Sequence, residues 1–238
     1  MNAPANVTGT YVDVPAGDVA FQAYRVEAPG ATRAATELVL LHEIFGITEK
    51  IRRYAHDFAR YGLGVTVPDL FWRLEPRVEL GHDRAGMARA LALLELFNED
   101  MAIADIARVI AQVRARSPGC RVALVGFCLG GKLVVRSRLA ALADVYVGYY
   151  GVGVENIPGN LGGNDAPLML HYGSDDPHAP RQVVEAYRAR LGNAAQVLFY
   201  EGAGHAFYLP WKDEASALSR RRTLDFIGVA SEAQEGAK

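Results

Sequence analysis

Apolar and polar positions change period repeatedly along this chain, and the changes mark its elements. The stretch 9-GTYVDVPAGDVAFQAYRVEA-28 alternates in places around a Pro-Ala-Gly-Asp break, which predicts an antiparallel hairpin at a sheet edge. A short apolar run at 37-ELVLLH-42 predicts a buried strand. In 48-TEKIRRYAHDFARYG-62, Ile51, Tyr54, Ala55, Phe58 and Ala59 recur at helical spacing, with Thr48 as N-cap and Gly62 as stop. Next come a strand at 64-GVTVPD-69, helices over 83–97 and 100–116, a strand at 121–126 and a helix from 129. Strands at 145–150, 167–173 and 196–200 follow, with helices over 180–191 and 214–228. Strands that alternate with helices, and that read as continuous apolar runs, predict a mostly parallel central sheet covered by helices on both faces.

The chain has 238 residues, half of them hydrophobic and 22% charged. One α/β domain over 1–238 accommodates that length, with a frayed tail at 231–238. The irregular connection 70-LFWRLEPRVELGHD-83 is expected at the rim of a pocket. A net charge of −2 and the absence of any like-charge block beyond Arg220-Arg221-Arg222 argue against a nucleic-acid partner. No apolar run is long enough for a membrane span, and the start of the chain lacks the pattern of a signal peptide. Cys120 and Cys128 sit at opposite ends of one predicted strand, roughly 26 Å apart at about 3.3 Å per residue. A disulfide needs Cα atoms within about 7 Å, so the two are expected as free thiols in a reducing cytoplasm.

In open α/β sheets, ligands bind beyond the carboxyl ends of the strands. The residues there are His42-Glu43, Asp69, Cys128, Tyr149-Tyr150, Asp175 and His205. Gly126-Phe127-Cys128-Leu129-Gly130 fits the nucleophile elbow with cysteine in place of serine. Small neighbours let the chain turn sharply, and a helix N-terminus favours the thiolate. His205, in the Gly-rich loop 201-EGAGHAF-207, is the candidate base, whereas His171 lies inside a strand and reads as a core histidine. Asp175 ends the preceding strand and is the candidate orienting carboxylate, with Asp176 as its rival. The chain order is then nucleophile, acid, histidine. His42-Glu43 lacks the second histidine of a zincin motif, the cysteines lack metal spacing, and GYYGVG lacks the dinucleotide glycine spacing. No metal and no cofactor are expected.

The runs LHEIFGI (41–47), GFCLGG (126–131), GYYGVG (148–153), GSD (173–175) and AGHAF (203–207) together resemble the dienelactone hydrolases, or carboxymethylenebutenolidases. The likeness covers about residues 10 to 228 and implies an α/β-hydrolase fold and a monomeric enzyme of aromatic degradation. It implies a triad of Cys128, His205 and Asp175 that cleaves a small lactone or ester through a thioester. It also implies that Glu43 contacts the resting thiol and takes its proton when substrate binds. The backbone amides of Ile44 and Leu129 would form the oxyanion hole.

The sequence departs from that family where a substrate carboxylate is held. The two usual arginines fall at Met87 and Leu209, and a usual pocket tyrosine falls at Leu91. Either Arg84, Arg89 or Arg73 takes over, or the substrate is less charged and meets a more apolar pocket. Phe71, Trp72, Phe207, Tyr208, Leu209 and Trp211 would supply that apolar lining, with Tyr149 and Tyr150 shaping it. Two other functions stay open on these residues: a ligand-binding or sensor protein on the same fold, and a redox-responsive thiol.

Overall fold

The computed structural model describes residues 8–28, 30, 35–162, 164–193, 195–209 and 213–230. The expectations of a frayed tail at 231–238 and of Trp211 in the apolar lining lie outside the described residues. Contacts group into two units, residues 1–122 and 123–238, and each is described by itself.

In the first unit, β1 (Gly9–Ala16) and β2 (Val19–Val26) form the antiparallel hairpin, with Ala16 opposite Val19. β3 is Thr36–Leu41 and β4 is Gly64–Pro68; β4 pairs antiparallel with β2 and parallel with β3. Both β3 and β4 are buried along almost their whole length, which requires cover on both faces. Helices α1 (Glu49–Ala59) and α3 (Glu99–Arg116) pack against β4. α1 starts where its sequence says: the Thr48 side chain accepts the Ile51 N–H at 3.4 Å. Helix α2 (Arg84–Leu96) is capped by Asp83 and buries only Gly86, Ala90 and Leu93.

One buried ion pair ties this unit together. Arg25 (3% exposed) on β2 donates to Glu37 (1% exposed) on β3 at 2.5 Å, and Ser117 Oγ donates to the other Glu37 oxygen at 2.8 Å. Desolvation would pull the guanidinium down, but its bonds to Glu27 and Glu37 outweigh that and keep it charged.

In the second unit, β5 (Arg121–Phe127), β6 (Val145–Tyr149), β7 (Leu168–Gly173) and β8 (Ala195–Tyr200) run parallel in that order. α4 (Leu129–Leu139) packs on β6 and α6 (Glu214–Ile227) on β7; α5 (Arg181–Arg188) lies between β7 and β8 in the chain. β6 and β7 are buried at every position, so continuous apolar sequence reads correctly as strand covered on both faces. Parallel register places the ends of β5 and β6 side by side, Phe127 opposite Tyr149.

Candidate active site

The elbow between β5 and α4 is strained as a nucleophile turn requires. Cys128 has φ 53° and ψ −109°, a backbone region that non-glycine residues rarely occupy. Its N–H donates to the Tyr149 carbonyl at 3.0 Å, which locks the turn onto the end of β6. Gly126 is obligatory, because a Cβ there would lie 2.2 Å from the Gly130 carbonyl oxygen. Leu129 opens α4, so its amide is one of the helix N-terminal donors with no carbonyl partner inside the helix. Cys128 is partly exposed and, like Cys120, carries no disulfide.

His205 Nδ1 lies 2.7 Å from Asp176 Oδ2. The carboxylate that meets His205 is thus that of Asp176, the rival, and not the expected Asp175. Asp176 is 2% exposed, and its other oxygen accepts the N–H groups of His178 (2.8 Å) and Ala179 (3.2 Å). Burial alone would raise its pKa, but the His205 hydrogen bond and charge and these two amides hold it below the ordinary value. Asp175 instead is exposed and accepts from Ser174 Oγ at 2.7 Å. The Asp-Pro-His-Ala run carries the signal of a carboxylate turned back onto its own backbone, as a helix cap or an Asx-turn.

The His205 ring meets two others edge-on: Tyr150 at 5.0 Å and His178 at 4.9 Å between centroids. Tyr150 also contacts Phe127, the residue before Cys128, at 6.0 Å, and Phe207 at 5.7 Å. Tyr150 therefore lies between the elbow and the histidine loop. His205, Phe207 and Leu209 line one cavity of about 720 Å³ together with Tyr200, Leu218 and Arg222.

Other expected site residues lie elsewhere or are otherwise engaged. Tyr149 is fully buried and its hydroxyl is committed to the Ser219 carbonyl (3.2 Å) and Thr223 Oγ1 (2.6 Å), so it is not offered to a substrate. Tyr208 and Phe71 are core residues. Trp72 stacks on Phe21 (5.1 Å, 9°) and donates to Asp105 at 2.8 Å, so it packs under the connection rather than forming a pocket wall. Arg73 is bidentate on the buried Asp105, and Arg89 pairs with Glu75 on the surface at 2.5 Å. Arg84, Met87 and Leu91 stand exposed on α2. His171 is a core histidine, bonded to Tyr200 and Thr223; burial drives it down to about 3, so it stays neutral.

In the first unit, Glu43 follows β3 and is 3% exposed, with Lys50 Nζ 2.5 Å from its carboxylate. Ile44 is the next residue in the same turn. His42 positions this turn: burial lowers it to about 4, and its neutral ring contacts the Glu43 carbonyl (2.6 Å) and accepts the Leu70 N–H (3.1 Å). Among the described residues, no cluster of His, Cys, Asp and Glu could hold a metal ion, and no helix is long and apolar enough to cross a membrane.

The dienelactone hydrolase family model matches residues 21–231. The chain belongs to the dienelactone hydrolase family. Carboxymethylenebutenolidase 1 of Cupriavidus pinatubonensis is 33% identical over 208 residues, covering 83% of this chain and 88% of that protein. The carboxymethylenebutenolidase of Pseudomonas putida is 32% identical over 208 residues, with 83% and 87% covered. A crystal structure from Klebsiella pneumoniae, assigned as a dienelactone hydrolase, superposes with a TM-score of 0.80 at 23% identity and covers 94% of this chain and 99% of that one. At that identity the likeness speaks for the α/β-hydrolase fold, which this chain has. Family membership makes it a carboxylic ester or lactone hydrolase.

Proposed function

We propose that the chain hydrolyses small lactones or carboxylic esters with Cys128 as nucleophile, through a thioester. The observation that carries this reading is the strained Cys128 elbow in the same unit as a His205–Asp176 pair 2.7 Å apart. In this mechanism the Cys128 sulfur attacks the carbonyl carbon, and the Leu129 and Ile44 amides are the oxyanion donors. Glu43 takes the thiol proton, which passes through His205 to the departing oxygen, leaving acyl-Cys128. His205, held in the Nδ1–H tautomer by Asp176, then removes a proton from water as it attacks the thioester. The acid is released and the thiol restored.

The substrate is inferred to be less charged than one clamped by two arginines. Met87 and Leu209 stand where the family resemblance expects arginines, and Arg73 and Arg89 are engaged by carboxylates. Steady-state hydrolysis of dienelactone beside a neutral ester of similar size, with Cys128→Ala as control, tests both parts. Neutral-ester turnover that exceeds dienelactone turnover and vanishes in the variant is expected. Turnover that survives in Cys128→Ala overturns the nucleophile assignment, and dienelactone preference overturns the substrate assignment.

A further inference from the structure

The Glu43 carboxylate is only 4% exposed, and a buried carboxylate needs a cationic or hydrogen-bonding partner to remain charged. Lys50 provides one, with Nζ 2.5 Å from Oε2. The lysine is itself unusually withdrawn: its side chain is 20% exposed, where lysine is ordinarily a hydrated surface charge. Its ammonium also lies 3.5 Å from His82 Nε2, and His82 Nε2 is 4.0 Å from the same Glu43 oxygen. The His82 ring rests on Phe45 at 4.2 Å. From α1 the carboxylate thus meets Lys50, and from the connection before α2 it meets His82.

Helix preference does not account for Lys50. Thr48 caps α1 and Glu49 is its first residue, so Lys50 falls in the first turn, where the helix dipole disfavours a cation. The backbone around Glu43 is rigid. Gly46 has φ +82°, and a Cβ there would lie 1.9 Å from the Val78 carbonyl oxygen. Ile47 N–H donates to that carbonyl at 3.2 Å, and Leu80 N–H donates to the Phe45 carbonyl at 3.0 Å. The turn that bears Glu43 and the connection that bears His82 are therefore stitched together, and the Lys50 ammonium meets the carboxylate beside them.

We propose that Lys50 is a positioning residue for the reaction, anchoring the resting Glu43 carboxylate through the 2.5 Å ion pair, with His82 closing the other side of the ammonium. This rests on the reading that Glu43 takes part in the proton transfer. Lys50 has no substrate-binding role in it, so its loss lowers kcat and leaves KM nearly unchanged.

The test is a double-mutant cycle on kcat and KM with Lys50→Met, Glu43→Gln and the pair, using the neutral ester. Lys50→Arg serves as rescue, and thermal melts serve as folding control. Lys50→Met should lower kcat by roughly tenfold or more, the scale set by misplacing a catalytic group. Lys50→Arg should restore most of it, and in the Glu43→Gln background the lysine change should add less than about twofold. Independent, multiplying losses overturn the Lys50 proposal while leaving Glu43 in the mechanism. Full kcat in Glu43→Gln removes Glu43 from the mechanism and Lys50 with it. A KM rise confined to a carboxylate-bearing ester, persisting without Glu43, makes Lys50 a substrate contact and also overturns the proposal. A Tm loss in Lys50→Met with kcat intact reduces Lys50 to a structural residue.

Discussion

Asp176→Asn should be far more damaging than Asp175→Asn, and the hydrogen bonds give the size of the difference. In the wild type, Asp176 Oδ1 accepts two backbone amides while Oδ2 faces His205 Nδ1. An asparagine keeps the amide bonds only by placing its oxygen toward His178 and Ala179, which turns its NH₂ toward the imidazole. Two donors then face each other, so His205 shifts its proton to Nε2 and cannot accept one there. A wrong tautomer with intact geometry costs about 10⁴ in kcat in an unrelated triad hydrolase, or about 5.5 kcal/mol in the barrier. Asp175 is exposed and its carboxylate accepts from its neighbour Ser174, so Asp175→Asn, which leaves the backbone bond to Ala203 in place, should stay within about twofold. Ester hydrolysis by both variants, with circular dichroism melts to establish folding, reads this directly. If Asp175→Asn abolished turnover while Asp176→Asn kept it, the assignment of the orienting carboxylate would be refuted.

Gly126→Ala should abolish turnover, because its Cβ would press to 2.2 Å on the Gly130 carbonyl and open the elbow; activity near wild type would show that the turn tolerates more room than its geometry implies. Glu37→Gln leaves Arg25 without its buried carboxylate and should cost about 3 kcal/mol or more, lowering Tm on the order of 10 °C. An unchanged melt would mean the pair contributes nothing net.

The fold was legible because its signals were redundant. Apolar runs at 37–42, 121–126 and 167–173 each became buried strands, and Thr48 capped α1 as its position suggested. The elbow was legible because only small residues fit a turn whose Cβ clearances are so short. What failed was side-chain direction. Asp175 and Asp176 are adjacent, and a half-turn of backbone decides which one faces His205. Tyr149 and Tyr150 are likewise neighbours, yet the ring of one is spent on Thr223 while the other meets His205. Trp72 was expected at a pocket rim, but an inward rotation of the connection gives it Phe21 and Asp105. Lys50 gave no signal at all, since a lysine in the first turn of an amphipathic helix reads as solvent-facing until the buried carboxylate beside it is seen.

The central claim is a covalent thioester on Cys128, and the direct measurement is intact-protein and peptide mass spectrometry after rapid quench with a slow ester substrate. An adduct of acyl mass on the Cys128 peptide that forms and decays at the turnover rate, and is absent in Cys128→Ala, is the predicted result. Turnover with no adduct on that peptide, or an adduct that never decays, would contradict the account.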